Sequence, residues 1–201
     1  MSYQYRSMQT TQARVEVVNA FMRGVYGWMS LGLLVTAAAS VFVVSSPALT
    51  QFVFGNQLVF FGLIIAELAL VVGLSAAINR LSAGTASGLF MLYSALNGVT
   101  LSAIFVVYAK ATIFKAFLVT GGMFGAMSVY GLMPKRDLTG MGSFLFMGLI
   151  GIVIASIVNI FTKSAMMDFI ISCVGVLVFT GLTAYDTQKL KVMGEMAPAD
   201  D

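Results

Sequence analysis

Six long runs of apolar residues, separated by short polar stretches, dominate the 201-residue chain. Each run has at least about 18 residues, which as an α-helix is long enough to cross a hydrocarbon layer ~30 Å thick. Charged residues or turn formers close most of the runs, including Pro47, Arg80, Lys110 and Lys163. The predicted spans are residues 25–45, 58–78, 83–108, 113–133, 141–161 and 168–188. We therefore predict an all-α, polytopic transmembrane helix bundle that occupies residues 23–192.

Composition supports a membrane protein. Hydrophobic residues make up 59% of the chain and charged residues only 9%, whereas soluble domains carry about 25% charged residues. This number of charges is too small to cover a water-facing surface. Most of the surface is therefore expected to face the lipid bilayer. The net charge is only +3, and the few Lys and Arg cannot form a face that follows a phosphate backbone. No nucleic-acid partner is expected.

Two polar segments flank the predicted bundle, an N-terminal arm (residues 1–22) and a C-terminal tail (residues 193–201). The arm lacks the basic-then-apolar order of a cleaved signal peptide. Cytoplasmic loops of membrane proteins carry an excess of Lys and Arg. The side that holds the N-terminus has eight of the eleven, namely Arg6, Arg14, Arg23, Arg80, Lys135, Arg136, Lys189 and Lys191. The other side has Lys110, Lys115 and Lys163. This bias predicts a cytoplasmic N-terminus, and six spans return the C-terminus to the same side.

Two acidic residues lie inside predicted spans, where an ionised carboxylate costs about 2.5–3.5 kcal/mol at the centre. Glu67 lies near the middle of the second span. Its carboxyl group is expected to be either protonated or bonded to a polar partner. Its role is either to form a buried interhelical hydrogen bond or to provide a site on an ion or proton path. Asp186 lies near the cytoplasmic end of the sixth span. It either sits at the membrane interface beside Lys189 and Lys191 or acts as a proton sensor.

Uncharged polar residues, with Asn97 and Asn159 foremost, are expected in the polar interior of the bundle, where such side chains usually join helices by hydrogen bonds. The chain has no histidine, and we find no Gly-rich phosphate loop and no nucleophile–base pair. An enzyme is therefore not expected. An intramembrane enzyme would need Glu67 and Asp186 to form a carboxylate dyad, and their different predicted depths in the membrane argue against it.

Small residues four positions apart recur in the spans, at Gly84 and Gly88, at Gly121 and Gly125, and at Gly151 and Ala155. At this spacing they share one helix face, where two helix backbones can approach closely. General helix packing is the expected role, and a specific dimer face is the alternative.

Several segments resemble the Bax inhibitor family, also called the transmembrane Bax inhibitor motif family. Residues 81–84 (Leu-Ser-Ala-Gly), 89–96 (Leu-Phe-Met-Leu-Tyr-Ser-Ala-Leu) with Gly98, and 181–189 (Gly-Leu-Thr-Ala-Tyr-Asp-Thr-Gln-Lys) carry the likeness. Residues 122–128 and 135–138 are similar to its bacterial branch. The resemblance runs from about Val25 to Gly194, and its most specific element is the Asp-Thr-Gln stretch after an apolar span. It implies a bacterial inner-membrane location.

The resemblance implies a seven-helix bundle around a closed pore, and a calcium leak gated by protons. In the family, a carboxylate on the sixth helix shares a proton with one on the seventh, because two close carboxylates cannot both ionise cheaply. Asp186 matches the first of these, as pH sensor or gate and as the candidate metal ligand. Glu67 matches a path-lining acid, and Arg80 lies near an arginine implicated in closure. Calcium is the expected permeant ion, and no cofactor is expected.

The seventh span of the family, with its second carboxylate, has no counterpart in the sequence up to Asp201. Two interpretations stay open: the chain is truncated, or this member lacks the seven-helix pore. The resemblance also leaves two functions open. One is a pH-sensitive calcium leak channel with a role in stress or cell-death regulation. The other is a regulatory partner of a membrane protease or another membrane protein, which would bind through the arm formed by residues 1–22.

Overall fold

The structure, a computed structural model, describes the backbone of residues 2–133 and 137–196 and the side chains of these ranges from residue 14 onward. It consists of the helices α1 (Ser2–Ser45), α2 (Pro47–Phe54), α3 (Gln57–Ala77), α4 (Ala83–Val107), α5 (Lys110–Leu132), α6 (Thr139–Thr162) and α7 (Ala165–Met196). A 3-10 turn, Ile78–Arg80, follows α3. All of these helices except α2 are long and apolar enough to cross a membrane. The prediction of an all-α, polytopic bundle with six spans is confirmed.

The first and last spans belong to longer helices than the sequence predicted. Helix α1 begins at Ser2, so the described part of the polar arm continues directly into the first span. Helix α7 continues to Met196, well beyond residue 188. Apolar runs mark the part of a helix that suits lipid, but a helix continues through polar residues of high helix propensity until a breaker stops it. The loop residues 134–136 and the last part of the predicted tail, residues 197–201, lie outside the described residues.

Polar side chains start the helices in the first half of the chain. The Ser46 side chain accepts a hydrogen bond from the Leu49 backbone N–H, directly before Pro47 opens α2. Asn56 caps α3 and Ser82 caps α4 in the same way. Proline suits the first turn of a helix because its missing N–H would have no partner there. Pro47 therefore ends one span and begins α2, a short helix that the apolar pattern did not predict.

The chain folds as two compact units. The central unit comprises Gly24–Ala116, and within it α3 packs on α4 and α2 contacts both. The terminal unit comprises Met1–Arg23 and Phe117–Asp201, and within its described part α6 packs along α7. Helices α1 and α5 each contribute residues to both units. Glu67 belongs to the central unit and Asp186 to the terminal unit.

The pattern of buried and exposed side chains is the reverse of the pattern in a soluble protein. Large apolar side chains such as Leu58 and Phe161 are more than 80% exposed, whereas Ser40, Ser94 and Ser102 are buried. Cys173 is also exposed. Lipid satisfies apolar side chains as well as a protein core does, so a membrane protein uses its interior for small and polar contacts. The surface therefore suits a bilayer.

The close helix contacts occur at glycines other than the predicted ones. A Cβ atom at Gly98 would lie 2.3 Å from the Thr36 carbonyl oxygen, and one at Gly131 would lie 2.4 Å from the Ala184 carbonyl oxygen. A Cβ placed on Gly84, Gly88, Gly121, Gly125 or Gly151 has nothing within 4 Å among the described residues outside its own helix backbone. These glycines therefore make no close helix contact within the described residues, because spacing defines a face but not what lies against it, and the alternative of a dimer face stays a prediction.

Candidate functional site

Glu67 lies half-buried in the middle of α3, where its carboxylate meets a hydroxyl group of α4. The Thr100 hydroxyl donates a hydrogen bond of 2.8 Å to Glu67 Oε1. The same Thr100 oxygen also lies 3.1 Å from the Asn97 carbonyl oxygen. The interhelical hydrogen bond considered for Glu67 from the sequence is therefore present, and its partner is Thr100.

The Thr100 hydroxyl carries a single hydrogen, so it donates to only one of these two acceptors at a time. When Glu67 is ionised, Thr100 donates to the carboxylate. When Glu67 is protonated, its own O–H can donate to Thr100 Oγ1, while the Thr100 hydrogen points to the Asn97 carbonyl. The geometry therefore provides a hydrogen-bond partner for Glu67 in both protonation states.

The other site residues predicted in the central unit are placed as follows. Asn97 is half-buried on α4, and its side-chain amide lies 3.4 Å from the Tyr93 hydroxyl one turn away. Arg80 is exposed at the end of the 3-10 turn, about 20 Å along the helix from Glu67 at 1.5 Å per residue. The structure thus joins Glu67 to the Asn97 backbone through Thr100 and keeps Arg80 apart from both.

A pair of hydroxyl contacts between α1 and α4 was missed by the sequence analysis. The Thr36 hydroxyl donates to the Ser94 carbonyl at 2.8 Å, and the Ser40 hydroxyl donates to the Gly98 carbonyl at 2.7 Å. Both donors and both acceptors are four residues apart, so two helix faces meet in register. The signal in the sequence is the matching spacing of Thr36 with Ser40 and of Ser94 with Gly98.

The neighbours of Asp186 on α7 pack tightly within the terminal unit. Thr187 and Ala184 lie against Gly131, near the end of α5. Gln188 Oε1 accepts a 2.8 Å hydrogen bond from the Leu138 backbone N–H. The Tyr185 ring covers Gly142 of α6. Residues on both sides of Asp186 therefore anchor α7 against other parts of the terminal unit.

Asp186 itself points away from these contacts and is exposed. At 3.6 residues per turn it lies about 130° around the helix from the middle of the face that carries Ala184 and Thr187. No hydrogen bond or ion pair joins its carboxylate to any part of the chain that the structure describes. Lys191 instead donates to the Leu132 carbonyl at 3.2 Å. Because α7 continues to Met196, Asp186 lies about 15 Å from the helix end at 1.5 Å per residue, well before the last turn, where the helix dipole acts.

Asn159 joins the end of α6 to the start of α7 and is 6% exposed. Its side-chain oxygen accepts from the Ser164 backbone N–H and the Thr162 hydroxyl, at 3.0 and 2.9 Å. Its side-chain nitrogen donates to the Ser164 carbonyl and to Asp168 Oδ1. All four hydrogen-bonding positions of the amide are used. Asn159 lies in the interior, as predicted, but it holds the α6–α7 turn rather than the middle of two spans.

The described residues contain no group of three or more His, Cys, Asp or Glu side chains that could hold a metal ion. Outside the spans, Asp137 precedes α6 and accepts hydrogen bonds from the Thr139 hydroxyl and backbone N–H. These bonds favour the ionised form and lower the pKa of Asp137 below its usual value near 3.8.

Comparison with known proteins shows a family match over most of the chain. The family described as "Inhibitor of apoptosis-promoting Bax1" matches residues 18–201. The chain is 54% identical over 196 residues to "Inner membrane protein YbhL" of Escherichia coli K12, covering 98% of this chain and 83% of the relative. It is 45% identical to an uncharacterized protein of Borreliella burgdorferi (94% and 83% covered) and 42% identical to one of Deinococcus radiodurans (92% and 81% covered). No solved structure matches the chain.

Proposed function

The chain belongs to the Bax inhibitor family and is a multi-pass inner-membrane protein, and from this premise we propose that it is a pH-sensitive calcium leak channel. Asp186 is the proton sensor and Glu67 lines the ion path. The N-terminus lies in the cytoplasm, on the side with the excess of Lys and Arg. The channel contributes to ion homeostasis under stress. The proposal includes no catalytic reaction.

The unpartnered carboxylate of Asp186 is the observation that carries the proposal. An ionised carboxylate on a membrane helix requires water, a cation or hydrogen-bond donors, whereas a protonated one requires far less. No described backbone or side-chain group donates a hydrogen bond to Asp186 or pairs with its charge, although Thr187 and Gln188 beside it are packed or bonded. Its protonation therefore changes what must surround it, which is the property that a proton-controlled gate needs.

Glu67 supports the second part of the proposal. Intramembrane acids that face a bundle interior commonly mark ion or proton pathways. Thr100 provides Glu67 with a partner in both charge states, so a passing cation can meet the ionised form without breaking the α3–α4 contact. Glu67 is in this way suited to line a path, while Asp186 is suited to respond to pH.

Calcium flux in proteoliposomes tests the proposal. The full chain is reconstituted with a calcium-sensitive dye inside, and the leak rate is measured as the pH is raised. We expect the leak to increase with pH, because loss of the Asp186 proton opens the path. Asp186→Asn should flatten this profile, whereas Glu195→Gln, which removes an exposed carboxylate of the same helix, should leave it unchanged.

Three outcomes separate the parts of this proposal. An unchanged rate and pH profile in Asp186→Asn would remove the sensor assignment but keep the channel. No protein-dependent calcium leak at any pH would remove the channel itself. A rate that falls in both Glu67→Gln and Glu67→Leu would support a path-lining role for the carboxylate, whereas a rate that falls only in Glu67→Leu would indicate that Glu67 acts through its hydrogen bond with Thr100, because Gln keeps an acceptor.

A second candidate function, regulation of a membrane protease or another membrane protein, is favoured by the length of α1. Its 44 residues span about 66 Å at 1.5 Å per residue, roughly twice the hydrocarbon thickness. Part of α1 therefore has to lie outside the membrane, where it can bind a partner. Deleting residues 2–13 keeps Val18 and Phe21, which contact Gly194. This deletion should abolish in vivo crosslinking to the partner while calcium flux continues, and unchanged crosslinking would exclude the arm.

A further inference from the structure

A cavity of about 340 Å³ lies between α6 and α7, next to the turn that joins them. Its polar lining consists of Ser156, Asn159, Lys163, Asp168 and Ser172. Ile160 and Ile171 complete the wall. The volume lies at the lower end of the range of small-molecule sites, and such sites combine apolar walls with a few placed polar groups.

The turn beside the cavity has a defined conformation. Lys163 adopts a left-handed backbone conformation with φ of 50°, which is uncommon for a residue other than glycine. Its backbone N–H bonds to the Asn159 carbonyl at 2.8 Å, and the Asn159 side chain bonds to Ser164 and Asp168. One buried residue, Asn159, therefore holds both positions, Lys163 through its backbone carbonyl and Asp168 through its side-chain amide.

Two opposite charges line the cavity without neutralising each other. No ion pair joins the Lys163 ammonium to the Asp168 carboxylate within the described chain. Asp168 uses Oδ1 for Asn159, which leaves the second oxygen available. A simple anion would meet the Asp168 carboxylate, and a simple cation would meet Lys163. A ligand that carries both charges matches the cavity.

The hydrogen-bond acceptors near Asp168 favour one kind of positively charged group in the ligand. The Ser156 hydroxyl donates its hydrogen to the Ile152 carbonyl at 2.8 Å, so its oxygen can still accept a hydrogen bond. Ser172 has no hydrogen bond to the described residues. Together with the second Asp168 oxygen, these hydroxyls offer three acceptors, which equals the number of N–H donors of a primary ammonium. A trimethylammonium group has no N–H to offer them.

The surroundings favour a lipid over a soluble zwitterion. Both helices are candidate membrane spans, and the cavity lies at their ends, where a headgroup would be. Phe161 and Phe169, next to the lining residues, are 81% and 66% exposed, so apolar surface is present beside the cavity for acyl chains. We propose that this cavity binds the headgroup of a phospholipid that carries a phosphate and a primary amine, with the phosphate at Lys163 and the ammonium at Asp168. This inference does not depend on the proposed channel function.

Native mass spectrometry of the purified full chain tests the site. Dioleoylphosphatidylethanolamine is titrated against phosphatidylcholine and phosphatidylglycerol with the same acyl chains, and the fraction of protein with one bound lipid is measured. A charge-assisted hydrogen bond contributes ~1.5–3 kcal/mol, which corresponds to about 10–100-fold in affinity. We expect phosphatidylethanolamine to bind at least about tenfold more tightly than phosphatidylcholine. Asp168→Asn should remove most of this preference, whereas Lys163→Gln should weaken the binding of both lipids, because both carry the phosphate.

Matched controls separate the site from general charge effects. Lys115→Gln and Asp137→Asn change exposed charges that do not line the cavity, and they should leave the preference intact. Asp168→Asn keeps an oxygen that can accept from Asn159, so the turn should persist. Ser172→Ala leaves every described hydrogen bond in place, and it provides a second test, with a smaller loss of several-fold, if Asp168→Asn does not fold.

Each contrary result overturns the proposal. Equal binding of phosphatidylethanolamine and phosphatidylcholine would exclude recognition of the amine. Tighter binding of phosphatidylglycerol would indicate an anion site at Lys163 alone. Displacement of the lipid by equimolar water-soluble glycerophosphoethanolamine would show that the site takes a soluble zwitterion and needs no acyl chains. An undiminished affinity in Lys163→Gln, together with an undiminished preference in Ser172→Ala, would place the lipid elsewhere.

Discussion

Glu67 and Asp186 are both acids on membrane helices, but their surroundings differ. Glu67 is half-buried and receives a hydrogen bond from Thr100 on the neighbouring helix. Asp186 is exposed, and its carboxylate has no partner among the described residues, although Ala184 and Thr187 on the same helix are buried. One carboxylate is satisfied by its own unit of the fold. The other depends on groups beyond it, such as a proton, water, a cation or another segment.

This difference explains why only one of the two acids is proposed as the sensor. A carboxylate with a partner in either charge state gains or loses a proton with little change in its contacts. A carboxylate without a partner changes its solvation completely when it ionises, because the ionised form is costly in an apolar setting. The same residue type thus serves as a stable polar contact at Glu67 and as a candidate switch at Asp186.

The largest loss of stability is expected from substitutions at the close helix contacts, one in the central unit and one in the terminal unit. Gly98→Ala would place a Cβ 2.3 Å from the Thr36 carbonyl oxygen, and Gly131→Ala would place one 2.4 Å from the Ala184 carbonyl oxygen. Both atoms belong to backbone, which cannot move aside easily. Each substitution should lower the free energy of unfolding by about 1–3 kcal/mol, measured by denaturation in detergent micelles.

Gly88→Ala is the matched control for this prediction. A Cβ at Gly88 meets no described atom within 4 Å beyond its own helix backbone. Because alanine has a higher helix propensity than glycine, the substitution should be neutral or stabilise by up to ~1 kcal/mol. Equal destabilisation by Gly88→Ala and Gly98→Ala would mean that the α1–α4 contact is not as close as described.

A loss of stability of intermediate size should distinguish Glu67 from Asp186 directly. Thr100→Val removes the donor to Glu67 and leaves a half-buried carboxyl group without this partner, so it should cost about 1–3 kcal/mol of unfolding free energy. Thr112→Val, at an exposed threonine, is its control. Asp186→Asn should change stability by less than ~0.5 kcal/mol, because no described contact is lost. A larger loss for Asp186→Asn than for Thr100→Val would reverse the comparison between the two acids.

The smallest effect concerns Asp137, an acid outside the spans. Its hydrogen bonds from Thr139 lower its pKa below about 3.8, so the ionised form stabilises the folded state. This contribution is complete at neutral pH and is lost as the pH falls through the lowered pKa. Asp137→Asn should therefore slightly reduce the thermal unfolding midpoint at pH 7 and have no effect near pH 2. A larger effect in acid than at neutral pH would contradict the sign of the shift.

The fold and the site differ in how far sequence patterns predict them. The ends of the middle spans are predicted to within a few residues, because the polar and turn-forming residues around Asn56 and Ser82 stop one apolar run and cap the next helix. Helix α7 exceeds its predicted end because Lys189, Lys191 and their neighbours are good helix formers that do not suit lipid. Hydropathy measures the preference for lipid, and it does not measure the length of the helix.

Side-chain partners are less predictable than helix ends. An acid in the second span indicates that a partner is needed, but many hydroxyl groups in the other spans could supply it, and the structure selects Thr100. The glycine spacing at Gly84 and Gly88 is the same as that of other small-residue pairs, but the close approach occurs at Gly98. Asn159 was expected to join spans, and it holds a turn through Asp168. Each choice depends on which helix faces meet.

By itself, the sequence determined that this protein spans a membrane with six apolar helices, because the scarcity of charge and the length of the apolar runs act locally along the chain. It also identified the family and the two acidic residues, Glu67 and Asp186, whose presence inside apolar spans needs an explanation. Only the tertiary structure decided that Thr100 is the partner of Glu67, that Asp186 has no hydrogen-bond partner among the described residues, and that Lys163 and Asp168 line one cavity. Helix packing brings distant residues together, and spacing along one helix does not specify the neighbouring face.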